Sequence, residues 1–431
     1  MEFFGNSKIR DNVLHIGGVS TIELVKEYGT PLYVIDESFV RDKCRRYFNA
    51  FKVKENGNRV AYAGKAFLTL AMCRLIKEEG LSLDVVSGGE LYTAIKSGFP
   101  LERVYFHGNN KTMEEIDMGI KNGVGKFVVD NFLEIEKINS VAKSYNKVQK
   151  ILLRITPGIE AHTHDYIKTG QIDSKFGFSI LNKNTLEAIK EAIELPNVEL
   201  VGLHCHIGSQ IFDIEPYEHA AEVMMTLISS IKKELGYEIK ELDLGGGFGI
   251  HYREGDKPRT IEEFCSRIIC AAERAAKELN INEPSLTIEP GRSIIGKAGT
   301  TLYTIGSIKE IEAIRKYVAV DGGMTDNIRP ALYKAEYECV IANRVEHNSK
   351  ETVTICGKCC ESGDILLNDV NIPKSESGDI LAVLSTGAYG YSMSSNYNKI
   401  PKAAVVFVKE GTAKLICRRQ TYEEVISNEI N

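Results

Sequence analysis

The sequence predicts an α/β chain: a (β/α)8 TIM-type barrel followed by a second, mostly β domain of sandwich or barrel type. Three observations carry that expectation. Eight short runs rich in β-branched residues, at 59–63, 81–86, 103–107, 126–129, 151–155, 198–205, 239–244 and 286–289, are separated by amphipathic helical stretches. Eight repeats in so short a span suit a closed barrel better than an open sheet. Nearly every run also ends in polar or glycine-rich residues, where such a barrel keeps its chemistry. From about Gly299 the texture changes to short strands with few helices, at 300–305, 317–320, 352–355, 380–384, 403–408 and 414–417.

In chain order, Ser20 precedes a helical pattern ending at Tyr28, a strand follows at 31–35, and a charged amphipathic helix spans 37–51. The barrel helices are expected at 66–79, 90–97, 113–122, 131–145, 185–194, 217–235 and 261–279. Residues 375–379 read as a polar turn. The expected domains are 1–35, a segment packed partly on the β domain; 36–298, the barrel; and 299–431, the β domain.

At 431 residues the chain exceeds one ordinary domain, and its apolar share of 43% is that of a globular protein. A net charge of −6 offers no basic stripe for nucleic acid and no polybasic membrane patch. The N-terminus lacks a charged region followed by an apolar run, and no run approaches a membrane span, so a cytoplasmic location is expected. The ten cysteines are scattered and read as free thiols. Cys356 and Cys359 form a CxxC, but with no second pair or nearby histidines no metal is expected.

The strand ends are the test of the barrel. The first delivers Lys65; the second carries Asp84 and runs into Ser87-Gly88-Gly89-Glu90; the third ends in His107-Gly108-Asn109-Asn110-Lys111. The fifth holds Arg154, the sixth gives His204 through Gln210, the seventh Gly245-Gly246-Gly247, and the eighth Glu289 through Ser293. Taken singly, the glycine run reads as a tight turn, His206 as a structural histidine and Arg292 as a partner for Glu289. His204 and His206 alternate along a strand, so only one of them is expected to point inward, against a two-histidine metal site. Together, a lysine, a glycine loop able to bind phosphate and a carboxylate at one barrel mouth fit pyridoxal phosphate chemistry.

The chain also resembles the fold-type III pyridoxal-phosphate decarboxylases, and the branch acting on diaminopimelate, along essentially its whole length. The matching stretches include Tyr62-Ala63-Gly64-Lys65-Ala66, His107 through Lys111, Ser174-Lys175-Phe176-Gly177, His204 through Gln210, Glu289 through Ser293, Ile328 through Tyr333, Cys360 through Asp364, and Gly387 through Asn398. The resemblance implies the last step of lysine biosynthesis, meso-2,6-diaminopimelate giving L-lysine and carbon dioxide. Related decarboxylases acting on ornithine, lysine, arginine or carboxynorspermidine are the nearest rivals, and a catalytically silent barrel is the rival of another class.

Carried over by that resemblance, Lys65 is the Schiff-base lysine and His206 stacks on the cofactor ring. Ser209, Gly245, Gly246, Gly247, Gly291 and Tyr389 hold the phosphate, Glu289 meets the ring nitrogen, and Asp84, Arg154, Pro290 and Arg292 join the cofactor site. Arg292, Arg329, Tyr333 and Tyr389 are implied at the substrate, Glu361 at its far ammonium, and Cys360 as proton donor. A homodimer with shared active sites is implied, since Cys360 and Glu361 reach the neighbouring subunit's site in this family. The chain departs from the family at Lys358, at the extra thiol Cys359, at Glu336-Tyr337 and at Lys399 through Lys402.

Overall fold

A computed structural model describes residues 5–53, 57–159, 174–181, 184–346 and 349–430. The chain divides into two units, one made of Lys43–Gly249 and Lys257–Ser293, the other of Met1–Asp42, Ile250–Asp256 and Ile294–Asn431.

The first unit is a closed barrel of eight parallel strands: Arg59–Ala63, Ser82–Val85, Val104–Phe106, Lys126–Val129, Gln149–Thr156, Val198–His204, Glu241–Asp243 and Ser285–Ile288. Both ends of the ring join: the eighth strand pairs with the first through Thr287 and Arg59, and the fourth with the fifth through Phe127 and Ile151. Strands covered on both faces need continuous apolar runs, and the burial of Val60, Ala61, Tyr62 and Ala63 fits that need. Phe178–Ser179 extends the fifth strand as a short parallel neighbour.

The barrel helices start where the sequence offers an oxygen to unpaired backbone N–H groups. Ser87, Thr112, Asn131 and Thr260 each accept from the residue three positions on, and Thr112 with Glu115 completes a capping box. The helix expected from residue 66 begins instead at Leu70. Gly64–Ala66 forms a single 3-10 turn, Phe67 is extended, and Thr69 caps the helix by accepting from the Met72 N–H at 3.1 Å.

The N-terminal ends of the strands close over a buried polar knot. Lys126 and Glu241, the first residues of the fourth and seventh strands, form an ion pair. Tyr105 Oη donates to Glu241 at 2.6 Å, Thr287 Oγ1 at 3.1 Å, and Arg59 lies 3.4 Å away. Above it the barrel is filled by Ala61, Tyr105, Val128, Leu152 and Val201.

The second unit is built on a mostly antiparallel sheet whose path runs Ile365–Pro373, Lys350–Cys356, Arg315–Val320, Gly299–Ile311, Leu32–Asp36, Ala404–Lys409, Thr412–Cys417. Strand Leu32–Asp36 is antiparallel to Gly299–Ile311 and parallel to Ala404–Lys409. Ile380–Val383 branches from Gly299–Ile311 and carries Cys339–Ile341. A three-stranded sheet, Lys8–Arg10, Val13–Ile16 and Val19–Ser20, precedes the helix Thr21–Tyr28. Among the described residues no helix is long and apolar enough to cross a membrane.

Candidate active site

The C-terminal ends of the barrel strands bring together a buried set of acids and imidazoles centred on Glu289, which follows the eighth strand. Its Oε1 lies 2.7 Å from His107 Nε2, beyond the third strand, and its Oε2 lies 3.3 Å from His204 Nε2, the last residue of the sixth. The two imidazole rings meet edge to face at 5.0 Å. Asp84 Oδ1, on the second strand, approaches the same His107 Nε2 at 3.7 Å. Burial would raise the Glu289 carboxyl, but His107 and His204 outweigh it and hold the group well below the usual carboxylate range. Burial pushes the His204 imidazole down to about 4, so it is a neutral donor at physiological pH. Asp243, which ends the seventh strand, is raised well above its range by burial and then by the Glu289 charge. Burial and the ionised carboxylate at the centre thus both disfavour the charged form of Asp243.

Lys65 follows directly on the first strand, its side chain exposed at the mouth. A Cβ at Gly64 would lie 2.8 Å from the Asp84 carbonyl oxygen, so only glycine lets the chain turn here and present the lysine. Its charge acts on Asp84, Glu90 and His206. His206 is neutral: burial and then Lys65 hold it well below its usual range, and its Nδ1 accepts from the Gly246 N–H at 3.3 Å.

The glycine run is fitted against its surroundings. A Cβ at Gly246 would fall 2.0 Å from the Glu289 carbonyl oxygen, and one at Gly247, whose φ is +105°, 2.1 Å from that of Gly208. Gly245 N–H donates to Asp243 at 2.9 Å, and Ile211 N–H to the Gly247 carbonyl at 3.0 Å. The loops after the sixth and seventh strands are therefore laced together. Arg292 reaches into the same loops, its Nη2 donating to Ser209 Oγ at 2.9 Å. Arg154 stacks over Phe176 at 4.3 Å, with Nε 3.9 Å from Asp130. Pro290 and Gly291 continue the chain from Glu289, and the Pro290 carbonyl accepts from the Ala63 N–H at 3.3 Å.

The barrel mouth thus gathers Lys65, Asp84, Arg154, His206, Ser209, Gly245 to Gly247 and Glu289 to Arg292. His107 and His204 were named from the sequence at their strand ends but given no role, and Asp243, which ends the seventh strand, was not singled out. The expectation that His204 and His206 compete for one face is corrected: the strand ends at His204, so alternation does not extend to His206, and both face the site. Glu289, His107 and His204 offer ligand atoms within 4.8 Å of one another, a pairing of histidines that the sequence argument did not consider.

The remaining expected residues lie on the second unit. Arg329, buried, donates to Tyr337 Oη, and its guanidinium stands 5.0 Å from the Tyr252 ring centroid. The departure at Glu336-Tyr337 thus supplies the residue that holds Arg329. Tyr333 ends the short helix Arg329–Tyr333 and is half-buried. Cys359 is half-buried, its N–H donating to Asp364 at 2.8 Å and its thiol pushed up to about 11 by burial and then Asp364. Cys360 and Glu361 are exposed, with the Cys360 N–H fixed to Asn398 at 2.8 Å. Tyr389 adopts a φ of +59°, a conformation costing a non-glycine residue on the order of 1–3 kcal/mol and typical of functional loops.

A cofactor with a phosphate, a ring nitrogen and a reactive carbonyl fits this mouth: a glycine loop with Arg292 and Ser209, a buried ionised carboxylate, and an exposed lysine. Comparison with known proteins agrees. The family described as pyridoxal-dependent decarboxylase, pyridoxal binding domain, matches residues 38–296. The chain is 52% identical to the diaminopimelate decarboxylase of Bacillus subtilis, over 96% of this chain and 94% of that one. It is 47% identical to that of Staphylococcus aureus, over 96% and 97%. The crystal structure of diaminopimelate decarboxylase from M. jannaschi superposes with a TM-score of 0.93 at 39% identity, covering 99% of this chain and 98% of that one. The Helicobacter pylori diaminopimelate decarboxylase complexed with L-lysine gives 0.86 at 31% identity, over 95% and 98%. The chain belongs to the pyridoxal-dependent decarboxylases, in the group of the diaminopimelate decarboxylases.

Proposed function

We propose that this chain decarboxylates meso-2,6-diaminopimelate to L-lysine and carbon dioxide with pyridoxal 5'-phosphate, as a carboxy-lyase closing lysine biosynthesis. The observation that carries the reading is Glu289, a buried carboxylate kept ionised in the same mouth as Lys65 and the glycine cradle. Bound there, pyridoxal phosphate supplies a sink for the electron pair left on the α-carbon when carbon dioxide departs.

The chain's own groups do the rest. Lys65 would hold the cofactor through its amine, and His206, neutral, would pack against its ring. The Gly245-Gly246-Gly247 loop, Ser209, Gly291 and Tyr389 would hold the phosphate, with Arg292 bonded to Ser209 beside them. Glu289 keeps a proton on the ring nitrogen, with Asp84, Arg154 and Pro290 shaping that end of the site. Arg329, Arg292 and Tyr333 take the far carboxylate of the substrate, and Glu361 its ammonium. Cys360 returns a proton to the α-carbon; Cys359, held by Asp364, is the structural thiol of the pair.

The exposed Cys360 and Glu361 support a homodimer in which each copy completes its neighbour's site, and the absence of a membrane-spanning helix among the described residues supports a cytoplasmic enzyme. Purified protein assayed on a panel of diamino acids tests the assignment. Turnover is expected with meso-diaminopimelate; faster turnover of ornithine, lysine or carboxynorspermidine overturns the substrate while leaving the fold and cofactor intact.

A further inference from the structure

The mouth contains more buried titratable groups than the proposed mechanism employs. Glu289 has one task there, yet each of its oxygens has an imidazole nitrogen beside it, from two different strands. All three residues are nearly inaccessible: Glu289 6%, His107 4% and His204 1% exposed. A carboxylate this deep is raised by burial unless donors meet it.

We infer that His107 and His204 are positioning residues that clamp the Glu289 carboxylate, fixing its charge and its aim at the cofactor ring nitrogen, with Asp84 backing His107. The inference rests on the assignment of Glu289 to that nitrogen. The geometry favours a clamp over coincidental packing. His107 Nε2 stands between two acids, 2.7 Å from Glu289 Oε1 and 3.7 Å from Asp84 Oδ1, close to both though aligned for a hydrogen bond to neither. The loop bearing His107 is itself anchored: Lys111 Nζ donates to the Gly108 carbonyl and the Val128 carbonyl, both at 2.8 Å, and to Glu134 at 2.5 Å. His204 is fixed on a strand paired on both sides. Rigid supports beneath the partners of a reacting group are what hold it to a fraction of an ångström.

The charged and titratable groups around Glu289 are His107, His204, Cys205, Asp84, Asp243, Lys65, Arg154 and His206. Of these the two imidazoles make the contacts that lower its carboxyl, so replacing one raises it. The sign follows: a depressed carboxylate keeps its anionic form until pH falls through its pKa, and a raised one loses it at higher pH.

The test uses holoenzyme of His107→Phe, His107→Gln, His204→Phe and Glu289→Gln, with circular dichroism to verify folding. Pyridoxal phosphate affinity is read by titrating stripped protein, and the absorbance band of the bound cofactor is followed from pH 5 to 9. His107→Phe and His204→Phe are expected to bind the cofactor ~10–100-fold more weakly, the scale on which supporting partners act. The acid limb of cofactor binding should move to higher pH, and kcat should fall with little change in KM. His107→Gln, which keeps a donor, should recover much of the affinity. In the Glu289→Gln background, His107→Phe should add less than two-fold, because residues acting through one group are not additive.

Additive losses in the double variant would overturn the clamp, as would wild-type affinity and an unmoved acid limb in both Phe variants. Should Glu289→Gln itself leave the cofactor affinity and band unchanged, the assignment of Glu289 fails and the clamp with it. An impaired Glu289→Gln beside unimpaired histidine variants refutes the clamp alone.

Discussion

Gly246→Ala adds one methyl group to the chain, and its effect follows from two distances. The new Cβ would lie 2.0 Å from the Glu289 carbonyl oxygen and 2.8 Å from the carbonyl carbon. A relaxed carbon-to-oxygen contact is about 3.3 Å or more, so the two loops must part by over ~1 Å. Neither can yield freely, because Glu289 N–H donates to the Gly245 carbonyl at 2.8 Å and Gly246 N–H to His206 at 3.3 Å. The displacement therefore moves the carboxylate and the ring-face histidine together. Overpacking of this kind costs ~1–3 kcal/mol of stability, and a 1 Å misplacement at a reacting centre costs ~10²-fold in rate. Thermal unfolding and cofactor titration of the purified variant measure the two effects. Gly89→Ala is the control, since its Cβ would meet nothing nearer than Ser87 Oγ at 3.7 Å. A Gly246→Ala protein with the melting temperature, cofactor affinity and turnover of the wild type refutes the steric argument.

Lys65→Ala should abolish decarboxylation and shift the absorbance of the bound cofactor; near-normal turnover would remove Lys65 from its role. Cys360→Ala should lose most turnover while Cys359→Ala keeps most of it, a contrast read from steady-state rates. The Glu90 carboxyl is pushed up to about 7 by burial, against the lowering effect of its 2.7 Å bond from the Val86 N–H. A carboxyl raised on folding contributes stability below its unfolded pKa that is lost as pH rises through the folded one, at most about 3 kcal/mol here. Denaturant midpoints of wild type should accordingly fall between pH 5 and 8 relative to Glu90→Gln. Lys126→Met, which removes the nearer of the two cations on Glu241 and leaves Arg59 at 3.4 Å, should cost somewhat less than the ~3–5 kcal/mol of a fully unpaired acid, and Lys126→Met with Glu241→Gln distinctly less; equal losses in denaturant unfolding would show the pair to be unimportant.

The barrel strands were legible because each is a short apolar run between helices with an apolar stripe, and observed bounds fall within two residues of the expected ones. The second unit was less legible. Cys339–Ile341 has only three residues, and Ile365–Pro373 is broken as a pattern by Asn368 and Asp369, the latter at φ +48°. Gly299–Ile311 runs six residues beyond 305 because a register irregularity between Ile305 and Ile308 lets the strand bend past Gly306 and continue. In the site, single strand ends were readable and contacts between them were not. Which of His107, His204 and His206 meets Glu289 depends on how far each strand is staggered around the ring, a property of barrel closure that no local stretch encodes.

The barrel buries a glutamate at each end, and the partners chosen for each separate structure from chemistry. Glu241 at the floor meets a lysine and an arginine, cations that balance its charge, and a tyrosine hydroxyl that donates to it. Glu289 at the mouth meets imidazoles instead. His204, neutral at physiological pH, donates a hydrogen bond that stabilises the carboxylate without cancelling its charge. That charge remains available to a protonated ring nitrogen, whereas a lysine in the place of His204 would hold Glu289 ionised but neutralise the pair and weaken its hold on that proton. The same physical demand, an ionised acid in a dry barrel, is therefore met by cations where rigidity is all that is needed and, at His204, by a neutral donor where the acid must still act on a bound group.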